Sequence, residues 1–228
     1  MYAGLEMNKF TMEANQFLSR NVPGYFHADF HGAGQPGNPD FLYKFKNDPH
    51  HNWSQQQIRY AVNDLSSVIS VDFPEIVEQT KTSTLTVCVV PRAKAETSYR
   101  PDQLLFKATV GAYARSAPGF VDGSNFIIRH TNTRTTHLRQ PVEGFENDGR
   151  MPYPGISSDT CNFSTQIKGR DILLVDDIYT KTVNIDEDMV QALFDNGARS
   201  VVFYAIGNTP RKFGSSSFRV EFDSENPS

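Results

Sequence analysis

Asp176 and Asp177 stand side by side at the end of an apolar run, Ile172-Leu173-Leu174-Val175. Adjacent carboxylates can accept hydrogen bonds from a vicinal diol. They can also stabilise positive charge that develops on a nearby carbon, with little reorganisation. Just downstream lies the polar turn Thr180-Lys181-Thr182-Val183-Asn184, and after it a helical pattern begins at Ile185. A helix N-terminus holds phosphate through its free N–H groups and its dipole. An acidic pair beside a phosphate cradle suits a phosphorylated ribose. The alternative is a strand that ends in a solvated acidic turn.

Three other clusters carry possible chemistry. Pro91-Arg92-Ala93-Lys94 follows the apolar run 85–90. Arg92 and Lys94 could bind a diphosphate there, Arg bidentately and Lys as a point charge, or could be two solvated cations. The second cluster is the Thr-rich stretch 130–139, with Arg134, His137 and Arg139 as candidates. Its charge and length suit a mobile loop that closes over an anion and excludes water, although a plain solvated loop would read the same. His27 and His31 lie four apart, but Pro23 and Gly24 disfavour a helix and no Glu is placed as in a zinc hydrolase.

The elements that must position these residues follow from periodicity. Residues 172–175 and 85–90 read as strands buried on both faces, as in a parallel sheet. Two aspartates at a strand's carboxyl end then sit where open α/β sheets place ligands. Residues 52–70 read as one helix with apolar residues at helical spacing and Ser54 as its N-cap. Residues 103–115 and 185–196 read as further helices, and 201–206 as a strand. Gly197 is placed to end the 185–196 helix in a left-handed conformation. Asn184 and Glu187 have capping-box spacing. Phe218-Arg219-Val220-Glu221-Phe222 alternates like a short edge strand.

Composition narrows the class. With 228 residues, 38% apolar and 21% charged, the chain is globular and fits one α/β domain with an appendage. Three regions are expected: an extension over 1–83, a core over 84–210, and an edge segment and tail over 211–228. A net charge of −4 does not indicate a general nucleic-acid binder. Two cysteines, Cys88 and Cys161, form neither a disulfide framework nor a zinc spacing. The first 20 residues lack a signal pattern and no run is long enough to span a membrane, so a reduced, cytoplasmic setting is expected.

In the stretch 172–184 the chain resembles the type I phosphoribosyltransferases, whose signature is an apolar strand, two acids and a Thr-rich turn. Over about residues 84–207 the order is similar to the ComF-like, amidophosphoribosyltransferase-related branch: a Val-Pro loop (90–91), a helix, Phe126-Ile127-Ile128-Arg129, a Thr-rich loop and the acidic-pair strand. The resemblance implies a doubly wound, mostly parallel sheet with an N-terminal hood, in which Tyr25, Phe26, Phe30 and Tyr43 are hood candidates. It implies transfer of ribose 5-phosphate from phosphoribosyl pyrophosphate (PRPP) to a nitrogen nucleophile. Asp176 and Asp177 would bind the ribose hydroxyls and Mg²⁺, the latter through water. Thr180, Lys181, Thr182, Val183 and Asn184 would bind the 5′-phosphate, and Arg92, Ala93 and Lys94 the pyrophosphate. The partners implied are PRPP, a small nitrogenous acceptor, and a second copy or another protein. No glutaminase module is recognisable.

The turn departs from the family pattern, which has Gly where Thr182 stands and Thr where Asn184 stands. A β-branched residue tolerates positive φ badly. Asp186, Glu187 and Asp188 also crowd negative charge into the first helical turn. These departures motivate a second reading: a non-catalytic protein of the same fold that binds PRPP or a nucleotide and regulates a partner, such as nucleic-acid or stress-response machinery.

Overall fold

A computed structural model describes residues 7–32, 34–46, 53–135, 147–151 and 155–210. Among these, six strands form one sheet in the order β1-β2-β8-β7-β3-β4. They are β1 (Asn8–Met12), β2 (Val22–Asp29), β3 (Leu85–Val89), β4 (Phe120–Asp122), β7 (Asp171–Tyr179) and β8 (Ser200–Asn208). β5 (Ile127–Arg129) and β6 (Cys161–Phe163) make a separate antiparallel pair. Only β1 runs antiparallel in the main sheet. The protein is therefore α/β with a mostly parallel central sheet.

Parallel strands must be covered on both faces, and alternation along β7 achieves this. Leu173 and Val175 enter one apolar cluster with α2 (Gln55–Thr80) and α3 (Leu105–Ser116). Ile172 and Leu174 enter the opposite cluster with Met189, Val190 and Leu193 of α5 (Ile185–Asp195). All four strand residues are fully buried, each worth about 1.5–3 kcal/mol relative to exposure. Helices on both faces are compatible with a doubly wound arrangement. Short helices α1 (Leu42–Lys46) and α4 (Ile156–Thr160) complete the described set.

Ser54 caps α2 as expected: its hydroxyl accepts the Gln57 N–H, and Gln57 Oε1 accepts the Ser54 N–H. The helix runs to Thr80 rather than stopping at residue 70. Pro74 removes the N–H that would bond the Ser70 carbonyl, but Phe73 and Ile76 continue the buried stripe and offset that loss. The 103–115 expectation resolves into a 3₁₀ turn over Pro101–Leu104 followed by α3. Gly197 follows α5 at φ 85°, as expected. The segment 218–222 lies outside the described residues.

Residues before 84 supply two strands to the main sheet and α2 to its face. A buried polar junction ties them in. Asp72 of α2 accepts the Tyr204 hydroxyl of β8 at 2.6 Å and pairs with His27 Nδ1 of β2 at 3.0 Å. Burial, then the Asp72 charge, raises the Tyr204 phenol well above its ordinary range. We expect Tyr204→Phe to cost about 1–2 kcal/mol, since it removes one bond to a buried carboxylate. In urea unfolding the midpoint should fall with the m-value unchanged.

Candidate functional site

β3 and β7 part company at Val175. Their ladder ends at Val89↔Val175, closed by Val90 N–H to the Val175 carbonyl at 2.9 Å. β7 runs on to Tyr179 paired with β8 alone. It is thus longer than the expected 172–175, and both aspartates lie within it. From β3 the chain crosses to β4 on one side, and from β7 to β8 on the other. This reversal of direction is the topological switch point, where open α/β sheets bind ligands at their carboxyl ends. Residues 91–95 and 176–184 are the two loops and strand ends that flank it.

The two acids are not equivalent. Asp176 Oδ1 accepts the Asp177 N–H at 2.8 Å, and Asp177 Oδ1 accepts the Ile178 N–H at 2.7 Å. Asp176 also meets Asp186 of α5 carboxyl to carboxyl. Burial raises the Asp176 carboxyl well above the usual range, and the charges of Asp186 and Asp177 add to the rise. Burial pushes Asp186 up to about 7, opposed by the hydrogen bond from Asp176. Both carboxyls are therefore raised, because two desolvated like charges in contact cannot both ionise cheaply.

The crowded acids of α5 are buried structural groups. Glu187 accepts the Tyr179 hydroxyl at 2.8 Å, and burial raises its carboxyl. Asp188 accepts the N–H groups of Gly155 and Ser157 at 2.7 and 2.8 Å. All three sit where the helix dipole favours negative charge. Glu187 is thus engaged with Tyr179, and no capping box with Asn184 forms. Tyr179 faces the core against Phe10 and Phe203.

The left-handed residue in the turn is Asn184, at φ 56°, and Thr182 has ordinary φ. The strain expected at Thr182 is absent, because the turn moves its positive φ to a residue type that tolerates it. Val183 N–H closes the turn on the Thr180 carbonyl at 3.0 Å. The Asn184 side chain makes no capping bond to the helix. Lys181 pairs with Glu13 at 3.3 Å, Asn184 accepts from Asn15, and Thr180 meets Thr209.

On the β3 side, Arg92 and Lys94 are not solvated cations. The Arg92 guanidinium donates to the carbonyls of Gln103 (2.9 Å) and Phe45 (3.4 Å) and lies 4.4 Å over the Tyr99 ring. Lys94 is buried and ion-paired with Asp148 at 2.6 Å. The Arg92 carbonyl accepts Arg129 Nε, and the Ala93 carbonyl accepts both the N–H and hydroxyl of Thr133. Arg129, Asn132, Thr133 and Asp148 were not among the sequence candidates for the site. Arg129 ends an apolar run and Asn132 and Thr133 lie in the Thr-rich stretch, whereas Asp148 has no local signal. Arg134 is exposed and bonds through its backbone to Arg150. His137 and Arg139 lie outside the described residues.

A cavity of about 40 Å³ lies under this loop, lined by Pro91, Arg92, Tyr99, Phe106, Lys107 and Arg129 among others. It has room for a few waters, not for a ring system. Among the described residues no group of three or more His, Cys, Asp or Glu is arranged to hold a metal, His27 and His31 included. No helix among them is long and apolar enough to cross a membrane. No family model matches the chain, and no curated protein matches it.

The raised carboxyls set a pH dependence. A buried acid whose folded pKa lies above its unfolded value contributes stability at low pH, and that stability is lost as pH rises through the folded value. Between the ordinary 3.8 and about 7 the folded Asp176–Asp186 pair binds more protons than the unfolded chain. The contribution of this pair to stability should therefore fall across that window. Asp186→Asn keeps a hydrogen-bonding partner for Asp176 and removes one of the two titrating carboxyls, with its charge. We expect a higher Tm than wild type at pH 8 and little difference at pH 4, measured by thermal unfolding monitored by circular dichroism.

Proposed function

We propose that the protein is a phosphoribosyltransferase of type I fold, with a doubly wound sheet, that moves ribose 5-phosphate from PRPP to a nitrogen nucleophile and releases pyrophosphate. The observation that carries this reading is the tertiary neighbourhood of three stretches far apart in sequence or turned by the fold. The loop 91–95, the strand end at Asp176 and Asp177, and the turn 180–184 all flank the β3/β7 switch point. Such an arrangement would suit an extended ligand with a diol between two phosphoryl groups.

In this reading the turn residues Thr180, Lys181, Thr182, Val183 and Asn184 receive the 5′-phosphate at the start of α5, through backbone N–H groups other than that of Val183, which closes the turn. Asp177 accepts from a ribose hydroxyl and stabilises the oxocarbenium-like charge left when the C1–oxygen bond breaks. Asp176, set against Asp186, meets the second hydroxyl. Lys94 and the loop N–H groups take the leaving pyrophosphate. The donor set suits Mg²⁺ arriving with substrate, because Mg²⁺ at phosphate sites uses one or two carboxylates rather than a protein cage. Asp176 and Asp177 would hold it, chiefly through water, and it would neutralise the pyrophosphate. Both cysteines are free and buried, with burial pushing the Cys88 thiol up to about 12, which suits a reducing, cytoplasmic setting.

The second reading, a non-catalytic protein of this fold that binds PRPP or a nucleotide and regulates a partner, draws support from the engaged groups. Arg92 is spent on backbone carbonyls and an aromatic ring, and Asp176 lies against Asp186. Incubation with PRPP, Mg²⁺ and a panel of bases, ammonia and amides separates the two. Pyrophosphate release with some acceptor is the result expected, and Asp177→Asn should slow it by on the order of 10²-fold or more. PRPP binding by calorimetry with no release for any acceptor would favour the regulatory reading. A normal rate in Asp177→Asn would remove the assigned role.

A second test concerns the turn. Asn184→Gly preserves left-handed φ and should leave PRPP affinity near wild type. Asn184→Val forces a β-branched residue to φ 56° and should cost about 1–2 kcal/mol in stability, with a matching loss of affinity. Calorimetric titration and urea unfolding read both.

A further inference from the structure

The loop leaving β3 is organised around one buried cation. Lys94 is 8% exposed. Its Nζ donates to Asp148 Oδ1 at 2.6 Å and to the Asp148 carbonyl at 2.7 Å. The other carboxylate oxygen, Oδ2, accepts from Asn132 Nδ2 at 2.9 Å. The Asn132 amide is itself held: Ala95 N–H donates to its Oδ1 at 2.9 Å, which turns the NH₂ end toward the carboxylate. The Lys94 N–H is spent on the Tyr99 hydroxyl. The carbonyls of Arg92 and Ala93 are drawn off by Arg129 and Thr133. The result is two fixed donors, one cationic, converging on two oxygens of a single anionic group.

The two sides of this contact differ in how firmly they are placed. The Lys94 side chain is 10% exposed and that of Asp148 is 50% exposed. A buried ammonium needs an anionic or well-bonded partner. A half-exposed carboxylate can return to water at little loss. The cation is thus a fixture of the loop, whereas its present anion is replaceable.

We propose that Asp148 is an internal stand-in for a phosphoryl group: its carboxylate fills the Lys94–Asn132 anion site until a diphosphate-bearing ligand displaces it. This rests on reading residues 92–94 as the pyrophosphate side of the site, and adds the regulation of that site. An internal competitor lowers apparent affinity by the fraction of molecules in which the site is open. Hydrogen bonds from Lys94 and Asn132 hold the Asp148 carboxyl below its usual range, so it competes as an anion throughout the neutral pH range.

Inorganic pyrophosphate with Mg²⁺ is the probe, titrated by calorimetry into wild type, Asp148→Ala, Asp148→Asn and Asp148→Ala combined with Lys94→Gln. Asp148→Ala should bind about fivefold tighter or more, and Asp148→Asn should shift in the same direction. The gain should disappear in the double variant, because it acts through Lys94. Equal or weaker binding by both Asp148 variants, with wild type binding, overturns the inference and leaves the pyrophosphate reading intact. A gain that survives Lys94→Gln also overturns it, since it would then come from net charge alone. No binding by wild type or by either single variant overturns the inference and the pyrophosphate reading together.

Discussion

Nine residues of β7 lie between two parallel neighbours, and that pairing is unequal in length. As long as β3 runs beside it, β7 is closed on both edges and both faces, so its residues must be apolar. When β3 ends at Val89, β7 continues with one edge open. Polar side chains become affordable at that point and not before. Asp176 is the first residue past the last β3 pairing, and the loop from β3 turns away beside it. Sheet register, rather than loop chemistry, therefore decides where acids and cations can meet.

The polar groups near this edge are used heavily in construction. Asp188 holds the start of α4, Glu187 receives Tyr179, and Asp186 meets Asp176. Together they fasten α5 to β7 and to the segment before β6. On the other side Arg129 and Thr133 fix the backbone of the β3 loop. Buried polar groups that are fully paired rigidify a structure, and those left half-paired weaken it. Asp186 Oδ1 and Glu187 Oε2 are buried without a hydrogen-bond partner, so the α5 turn is the less fully satisfied side.

The first part of the chain completes the sheet instead of standing apart from it. β2 pairs with β8, and the segment after β1 crosses α5, where Ser19 bonds Gln191 and Arg20 lies 4.4 Å over the Phe194 ring. The same segment supplies Glu13 and Asn15 to the turn at 180–184. Of the aromatic residues considered as a hood, Tyr25 is core and Phe26 tilts against Phe10. Phe30 and Tyr43 pair with each other. Gly207 lets Phe30 and Ile178 approach: a Cβ there would meet them at 3.2 and 3.3 Å.

Hydrophobic period and local capping were legible in the sequence. Buried strands at 85–89 and 172–175, the first four turns of the 55–80 helix, the 185–195 helix, the Ser54 cap and the Gly197 stop follow from patterns within a few residues, whereas the run of α2 past residue 70 and through Pro74 does not. So does the placement of two acids at a strand's carboxyl end. Partners distant in the chain were not legible. Nothing local to Asp176 announces Asp186, nothing near Lys94 announces Asp148, and nothing around His27 announces Asp72 and Tyr204. The left-handed φ also fell on Asn184 rather than Thr182, because N-terminal contacts and helix entry set that turn. Apolar burial is non-specific and leaves its mark on every residue of an element. A charge pair is a single contact between two chain segments, and only the packed sheet brings those segments together.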